Sequence, residues 1–308
     1  MTRKGSAVMI ASPPSVAVGM ERPLRMYQVD AFADRPFTGN PAAVLLVEDW
    51  LPDELMLAVA QENNLAETAF ARPRPDRAWD LRWFAPAHEV EFCGHATLAT
   101  AHVLLTAAGA ASPLTFHTRV GALHVSTIRH GYQLDLPCIP PEPLDALPSA
   151  IAGIFDPPPI RLFRNFENVF ADLGDAAAVR RFVPDLGAIA GLGPVGLAVT
   201  GREAGGGPAH FVSRYFAPGA GIAEDPVTGS IHATLVPYWA GQLGMDRLTA
   251  FQASARGGWL GCELAGNRVL LSGQAVTFKE ATIFLPDTGL PARVLSRGPK
   301  KGTPCSSA

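Results

Sequence analysis

Arg82-Trp83-Phe84-Ala85-Pro86 returns 132 residues later as Arg214-Tyr215-Phe216-Ala217-Pro218. Each copy is followed by a loop with acidic residues, and each loop runs through a glycine into an apolar stretch. The first stretch is Gly94-His95-Ala96-Thr97-Leu98, and the second is Gly229-Ser230-Ile231-His232-Ala233-Thr234-Leu235, offset by 135 residues. One five-residue match is weak. Two matches in the same order at nearly one offset point to an internal duplication. The chain then folds as two pseudo-symmetric α/β halves, each with a strand–loop–helix corner.

Outward from the corners, apolar periodicity assigns the neighbouring elements. Strands are expected over Met26–Phe32, Ala42–Val47, Leu65–Ala71, Trp79–Phe84, Thr115–His117, Ala122–Ile128 and Tyr132–Leu136. In the second half they are expected over Phe166–Asp172, Val195–Val199, His210–Phe216 and Val269–Phe278. Helices are expected over Leu51–Asn63, Gly94–Gly109 and Gly229–Gly244, with Pro52 near the first turn and glycine stops at 109 and 244. Pro137 to Pro159 holds eight prolines and little periodicity, so it reads as a linker. The expected organisation is a disordered leader (1–24), a first domain (25–137), a Pro-rich linker (138–159), a second domain (160–285) and a tail (286–308). The leader, or an over-long start ahead of Met20 or Met26, lacks the apolar core of a secretory signal.

Composition narrows the function classes. The 308 residues carry 25 Lys+Arg against 28 Asp+Glu, a net charge of −3, so the basic footprint of a nucleic-acid binder is missing. The longest apolar stretches fall short of a membrane span of roughly 20 residues, which makes the cytoplasm the expected address. Cys93, Cys138, Cys262 and Cys305 lie far apart, without the spacing of a disulfide framework or structural zinc. The eight histidines show no metal-binding spacing. Gly191-Leu192-Gly193-Pro194-Val195-Gly196 matches a dinucleotide fingerprint in letters only, because a strand is expected after it and Pro194 removes a donor. Gly205-Gly206-Gly207 lacks the rest of a P-loop and reads as a hairpin connection. No cofactor and no metal is expected.

The chemistry is expected at the corners. A helix start carries unpaired N–H groups and the positive end of the macrodipole, and glycine lets a ligand reach that backbone. Gly94 and Gly229, with Ser230, are the candidate donors to a carboxylate and to an enolate-like oxyanion. The bland alternative is two ordinary helices capped by residues such as Thr228 and Ser230; the repeat favours a site. Glu67, in Asn64-Leu65-Ala66-Glu67-Thr68-Ala69-Phe70, is a candidate base if its apolar neighbours bury it, and otherwise a solvated strand residue. His95, in the first helical turn, is expected neutral, as an acid/base or a packing residue. Asp225 is a proton relay or an Asx-turn before Pro226. Cys93 has a lowered pKa if it points at the helix start, and is otherwise an inert core thiol.

These motifs resemble the phenazine-biosynthesis PhzF-like family. Val29-Asp30-Ala31-Phe32 with Gly39-Asn40-Pro41-Ala42-Ala43-Val44 resembles its opening. Asn64-Leu65-Ala66-Glu67-Thr68, Cys93-Gly94-His95-Ala96-Thr97 and Glu224-Asp225-Pro226-Val227-Thr228-Gly229-Ser230 resemble its three site motifs. Gln252-Ala253-Ser254-Ala255-Arg256-Gly257-Gly258 and Leu271–Val276 resemble its C-terminal signature and closing strand, so the resemblance covers roughly residues 25–285. It implies the diaminopimelate-epimerase-like fold: class α+β, two pseudo-symmetric domains, each a mixed sheet rolled around a central helix, the last strand packing on the first domain. It also implies a homodimeric, cofactor-free isomerase acting on a small carboxylic acid in the interdomain cleft. Glu67 would be base and acid, His95 and Asp225 its partners, and Gly94, Gly229 and Ser230 the oxyanion donors, with Cys93 lining the pocket. The family's best-known member isomerises trans-2,3-dihydro-3-hydroxyanthranilate, and its motif carries alanine in place of Cys93. Related epimerases pair two cysteines; the second corner here offers Asp225-Pro226 instead. A Cys93/Asp225 racemase and a non-catalytic small-acid binder are the rival readings.

Overall fold

The computed structural model describes residues 21–286, which fold into eighteen strands and five α-helices. In the first half β1 (Glu21–Ala31) pairs antiparallel with β2 (Asn40–Leu46), and α1 (Asp53–Asn63) crosses to β3 (Glu67–Pro73), parallel to β2. β4 (Trp79–Phe84) runs antiparallel to β3 and carries the short β5 (Glu89–Val90). α2 (Gly94–Thr106) leads to β6 (Leu114–Thr118), parallel to β4, then to antiparallel β7 (Gly121–Ile128) and β8 (Gly131–Pro137). Each parallel pair is bridged by a helix, as a same-direction return requires.

The same pairings recur after β9 (Glu142–Pro143). β10 (Arg161–Arg164) pairs antiparallel with β11 (Asn168–Asp175), and α3 (Ala176–Arg181) with α4 (Leu186–Ala190) crosses to the parallel β12 (Gly196–Arg202). β13 (Phe211–Ala217) is antiparallel to β12 and carries β14 (Ile222–Asp225). α5 (Gly229–Leu243) leads to β15 (Arg247–Gln252), parallel to β13, and then to β16 (Gly258–Ala265) and β17 (Arg268–Gly273). β18 (Ala275–Pro286) returns to pair along the whole of β1, and β8–β17 and β9–β10 contacts join the halves. The architecture is a sheet-dominated mixed α+β fold.

α2 and α5 are helices without an exposed face. Ten of the thirteen residues of α2 and ten of the fifteen of α5 are buried, as a helix apolar all round must be. α2 packs against β1, β2, β3, β8 and β18, and α5 against β15, β16 and β17. Thr97 and Thr100 return their hydroxyls to the Cys93 and Ala96 carbonyls at 2.6 and 2.7 Å, so these polar groups are satisfied inside α2. Pro237 inside α5 deprives the Ala233 carbonyl of its usual donor. The Ile139 N–H from the connecting segment takes that place at 3.0 Å. Among the described residues no helix is long and apolar enough to cross a membrane.

Three expectations change. The strand expected over Val269–Phe278 is two strands, because the chain leaves β8 at Gly273 and switches to β1. The Pro-rich segment is no free tether: Ile151 and Phe155 pack with Val179, Ile189 and Phe216. β15, β16, α3 and α4 are elements that periodicity did not reveal; β16 carries Gly258 and Gly261, which dilute its strand signal. Of the proposed leader (1–24), residues 1–20 lie outside the described residues, whereas 21–24 are no disordered leader but the start of β1, paired with β18; almost all of the tail also lies outside the described residues.

Candidate active site

The repeated arginine explains how each corner is held. Arg82 forks onto Glu89 at 2.7 and 2.7 Å, and Arg214 forks onto Glu224 at 2.7 and 3.0 Å. Bidentate arginine–carboxylate pairs fix orientation as well as position. In each half the acidic residue lies on the short strand between the repeat and the helix, β5 or β14, and the fork ties that strand to the repeat. Both helices start at glycine, and the two starts meet. A Cβ built on Gly94 or on Gly229 would lie 3.4 Å from the other glycine's Cα. A methyl group at either position would just touch the other backbone, and a larger side chain would have to leave the contact.

Neither start is capped. Cys93 and Thr228 occupy the N-cap positions, and neither side chain bonds its helix. The Thr228 hydroxyl donates to Asp225 Oδ2 instead. The capping expected from Thr228 is therefore absent, and the first-turn N–H groups of both helices remain as donors. They line a cleft of about 410 Å³ whose walls come from both halves and include Glu67, Cys93, His95, Tyr215, Asp225 and Ser230. No lysine or arginine lines it among the described residues.

Glu67 opens β3 and is 7% exposed. Its Oε2 lies 3.1 Å from His95 Nε2, yet the two are not aligned as a hydrogen bond, and both atoms stay without one among the described residues. On the other side of the ring, Nδ1 lies 3.1 Å from Asn40 Nδ2 and 3.5 Å from Cys93 Sγ. Asn40 Nδ2 also donates to Asp225 Oδ1 at 2.8 Å and to the Val227 carbonyl at 2.9 Å. One buried amide thus spends its two hydrogens on Asp225 and Val227 while lying against His95 Nδ1.

Charges follow from this packing. Burial pushes Asp225 up to about 6, with the Glu67 charge adding and His95 opposing. Burial alone would discharge His95, but the Glu67 carboxylate beside Nε2 outweighs it and holds the imidazole well above its ordinary pKa. The neutral imidazole expected from the helix dipole is overturned by this contact. The lowered thiol pKa is overturned too: burial, then the Glu67 charge, push Cys93 up to about 11. Cys93 is a protonated thiol at neutral pH, not a poised nucleophile. Asp225 forms no Asx-turn role of its own; it accepts from Asn40 and Thr228.

Three positioning residues were not found as such from the sequence. Gln252, fully buried, accepts from the Thr228 N–H at 2.8 Å and donates to the Asp225 carbonyl at 2.9 Å and Thr228 Oγ1 at 3.0 Å. Arg256 pairs with the buried Asp30 at 2.9 Å and donates to the Gly39 and Thr38 carbonyls at 2.8 and 3.0 Å. That clamp sets the turn from which Asn40 reaches His95 and Asp225. Gln252 and Arg256 fall within the quoted C-terminal signature and Asn40 within the opening one. Only their partners in space explain them.

Comparison with known proteins follows the same lines. The model of the phenazine biosynthesis-like protein family matches residues 29–281. An uncharacterized isomerase of Pseudomonas aeruginosa is 45% identical over 266 residues, covering 85% of this chain and 99% of the relative. Another uncharacterized isomerase, from Halalkalibacterium halodurans, is 38% identical over 262 residues, covering 84% and 98%. The crystal structure of a PhzF-family phenazine biosynthesis protein from Enterococcus faecalis superposes with a TM-score of 0.80 at 40% identity, covering 86% of this chain and all of that one. The chain belongs to the phenazine biosynthesis-like PhzC–PhzF family and is an isomerase of that family.

Proposed function

We propose that this isomerase moves a proton on a small carboxylic acid, without a cofactor, in the cleft between two pseudo-symmetric domains (25–137 and 160–285). The observation that carries the reading is the buried Glu67 carboxylate, with one oxygen unpartnered, beside two uncapped helix starts. Glu67 takes the proton from carbon, and the carbanion's charge spreads onto the substrate carboxylate as an enediolate. The N–H groups at Gly94, Gly229 and Ser230 stabilise that oxyanion, a role for which preorganised backbone donors need no reorganisation. With no cationic side chain on the cleft wall, these donors carry the recognition of the carboxylate. Where the acid carries a double bond next to the deprotonated carbon, Glu67 then returns the proton to the far carbon as that double bond shifts.

His95 keeps Glu67 oriented and balances its charge. Asp225, with a pKa near 6, carries a proton for part of the time at neutral pH and serves as the second acid. The protonated Cys93 thiol lines the pocket, which disfavours a Cys93/Asp225 racemase. The homodimer implied by the resemblance is part of the proposal, and sedimentation tests it. The central experiment is a screen of small carboxylic acids in deuterated water, read by mass spectrometry. At least one acid should gain deuterium at carbon with the wild type and not with Glu67→Gln. Binding without exchange for every acid bound would make the protein a non-catalytic small-acid binder.

A further inference from the structure

Glu67, Cys93 and His95 place a carboxylate oxygen, a thiol sulfur and an imidazole nitrogen within 4.8 Å of one another. All three side chains are more than nine-tenths buried, at 7, 6 and 4% exposure. Glu67 Oε2 and His95 Nε2 are 3.1 Å apart, and each lacks an aligned hydrogen bond among the described residues. Two ligands of a tetrahedral zinc ion sit roughly 3.3 Å apart at ordinary bond lengths, so this pair needs almost no movement. Cys93 Sγ, now 3.5 Å from His95 Nδ1, must swing toward Nε2 to complete the set. Buried polar atoms without partners call for an explanation, and a cation bound between them is one.

We infer that the reaction pocket is also a zinc site, in which Glu67, Cys93 and His95 bind Zn²⁺ and thereby switch proton transfer off. The donor set selects the metal: thiolate with imidazole favours zinc over magnesium or calcium, which take oxygen ligands. On binding, the Cys93 thiol and the His95 imidazolium each lose a proton to solvent, and the sulfur and His95 Nε2 each give a lone pair to the metal. The two charges of the ion are then balanced by thiolate and Glu67 carboxylate, leaving no net charge in a buried pocket. Three protein ligands leave the fourth position open to the cleft. The switch follows because the Glu67 oxygen that would take a substrate proton is held by the metal. Metal binding rests on the side-chain geometry alone, whereas the loss of activity rests on the proposed role of Glu67.

The test is a titration of the metal-stripped, full-length protein with Co²⁺, whose bond to a thiolate absorbs strongly in the near ultraviolet. One equivalent should bind with that absorption, and Zn²⁺ should displace it. Cys93→Ser should abolish the absorption, and Cys93→Ser and Glu67→Gln should each weaken Zn²⁺ at least about tenfold, because even supporting residues around metal ligands cost that much. Cys138→Ser, Cys262→Ser and Cys305→Ser should leave the absorption in place. No absorption in the wild type, or one that survives Cys93→Ser, overturns the site. With a substrate identified, Zn²⁺ should remove exchange in proportion to occupancy and a chelator should restore it. Exchange unchanged or raised by bound Zn²⁺ overturns the switch and leaves the site standing. Cobalt bound to a protein whose Glu67→Gln variant still exchanges protons would instead overturn the base assignment alone.

Discussion

The two corners share a frame and differ in what they place on it. Arg82 and Arg214 fork onto Glu89 and Glu224, and Gly94 and Gly229 open the two buried helices. Strand register then matches the side chains pair by pair. Thr68 pairs with Phe84 and Leu197 with Phe216, so Glu67 and Gly196, one residue earlier, occupy equivalent positions. Val90 lies opposite Trp83 and Asp225 opposite Tyr215, so the acid of the second corner stands where the first has valine. Cys93 answers to Thr228 and His95 to Ser230. The frame is symmetric because backbone donors and arginine forks are needed twice; the acid–base groups are not, because the proposed reaction uses one base.

Gly196 shows how the second base position was closed. A Cβ there would lie 2.2 Å from the Tyr215 hydroxyl and 2.5 Å from its ring, so the tyrosine fills the space that a second carboxylate would need. The hydroxyl is in turn held by Asn168 Oδ1 at 2.9 Å. In the first half Trp83, equivalent to Tyr215, leaves room for Glu67.

The sharpest way to break this comparison is at Glu67. Glu67→Gln should lower solvent exchange by roughly 10²–10⁴-fold, the usual cost of losing a general base, with the circular dichroism spectrum unchanged. Near-wild-type exchange would mean that the base lies elsewhere in the cleft. Next is Asp225 against its valine counterpart. The folded pKa, about 6, exceeds the ordinary carboxyl value, so the protonated form is the one the fold favours. Below the unfolded pKa this group leaves stability intact, and the wild type loses stability as pH rises through 6. Between pH 4 and 7 it should lose on the order of 3 kcal/mol that Asp225→Asn does not lose, measured by urea unfolding. Parallel pH curves for the two proteins would show that Asp225 is not desolvated.

Gly196→Ala should destabilise by about 1–3 kcal/mol through overlap with Tyr215, and most of that cost should vanish in a Tyr215→Leu background. Additive effects in the double variant would detach Gly196 from the tyrosine. The smallest effect is expected at Cys93. Cys93→Ala should keep at least about a tenth of wild-type exchange, a loss of no more than about 1.4 kcal/mol in transition-state stabilisation. A drop of a thousandfold would give the thiol a part in proton transfer.

Much of the frame was legible in the chain because it rests on local signals. The repeat, the glycines at 94 and 229 and the apolar run of each buried helix all follow from spacing of a few residues. So do the N-caps Asp175 and Asp185, whose side chains accept from Ala178 and Ala188 at 2.7 and 2.9 Å; that signal was present and would have found α3 and α4. The motifs also named Glu67, His95 and Asp225. What the chain could not show is the state of these groups, because charge depends on burial and on neighbours far away in sequence. His95 keeps a raised pKa through Glu67, and Asp225 is raised by desolvation. Asn40 and Arg256 act across separations of 55 residues or more, and Gln252 across 24 and 27. Local spacing determined where the helices start; only the tertiary fold set the two starts against each other, because it alone brings Gly94 and Gly229, 135 residues apart, into contact.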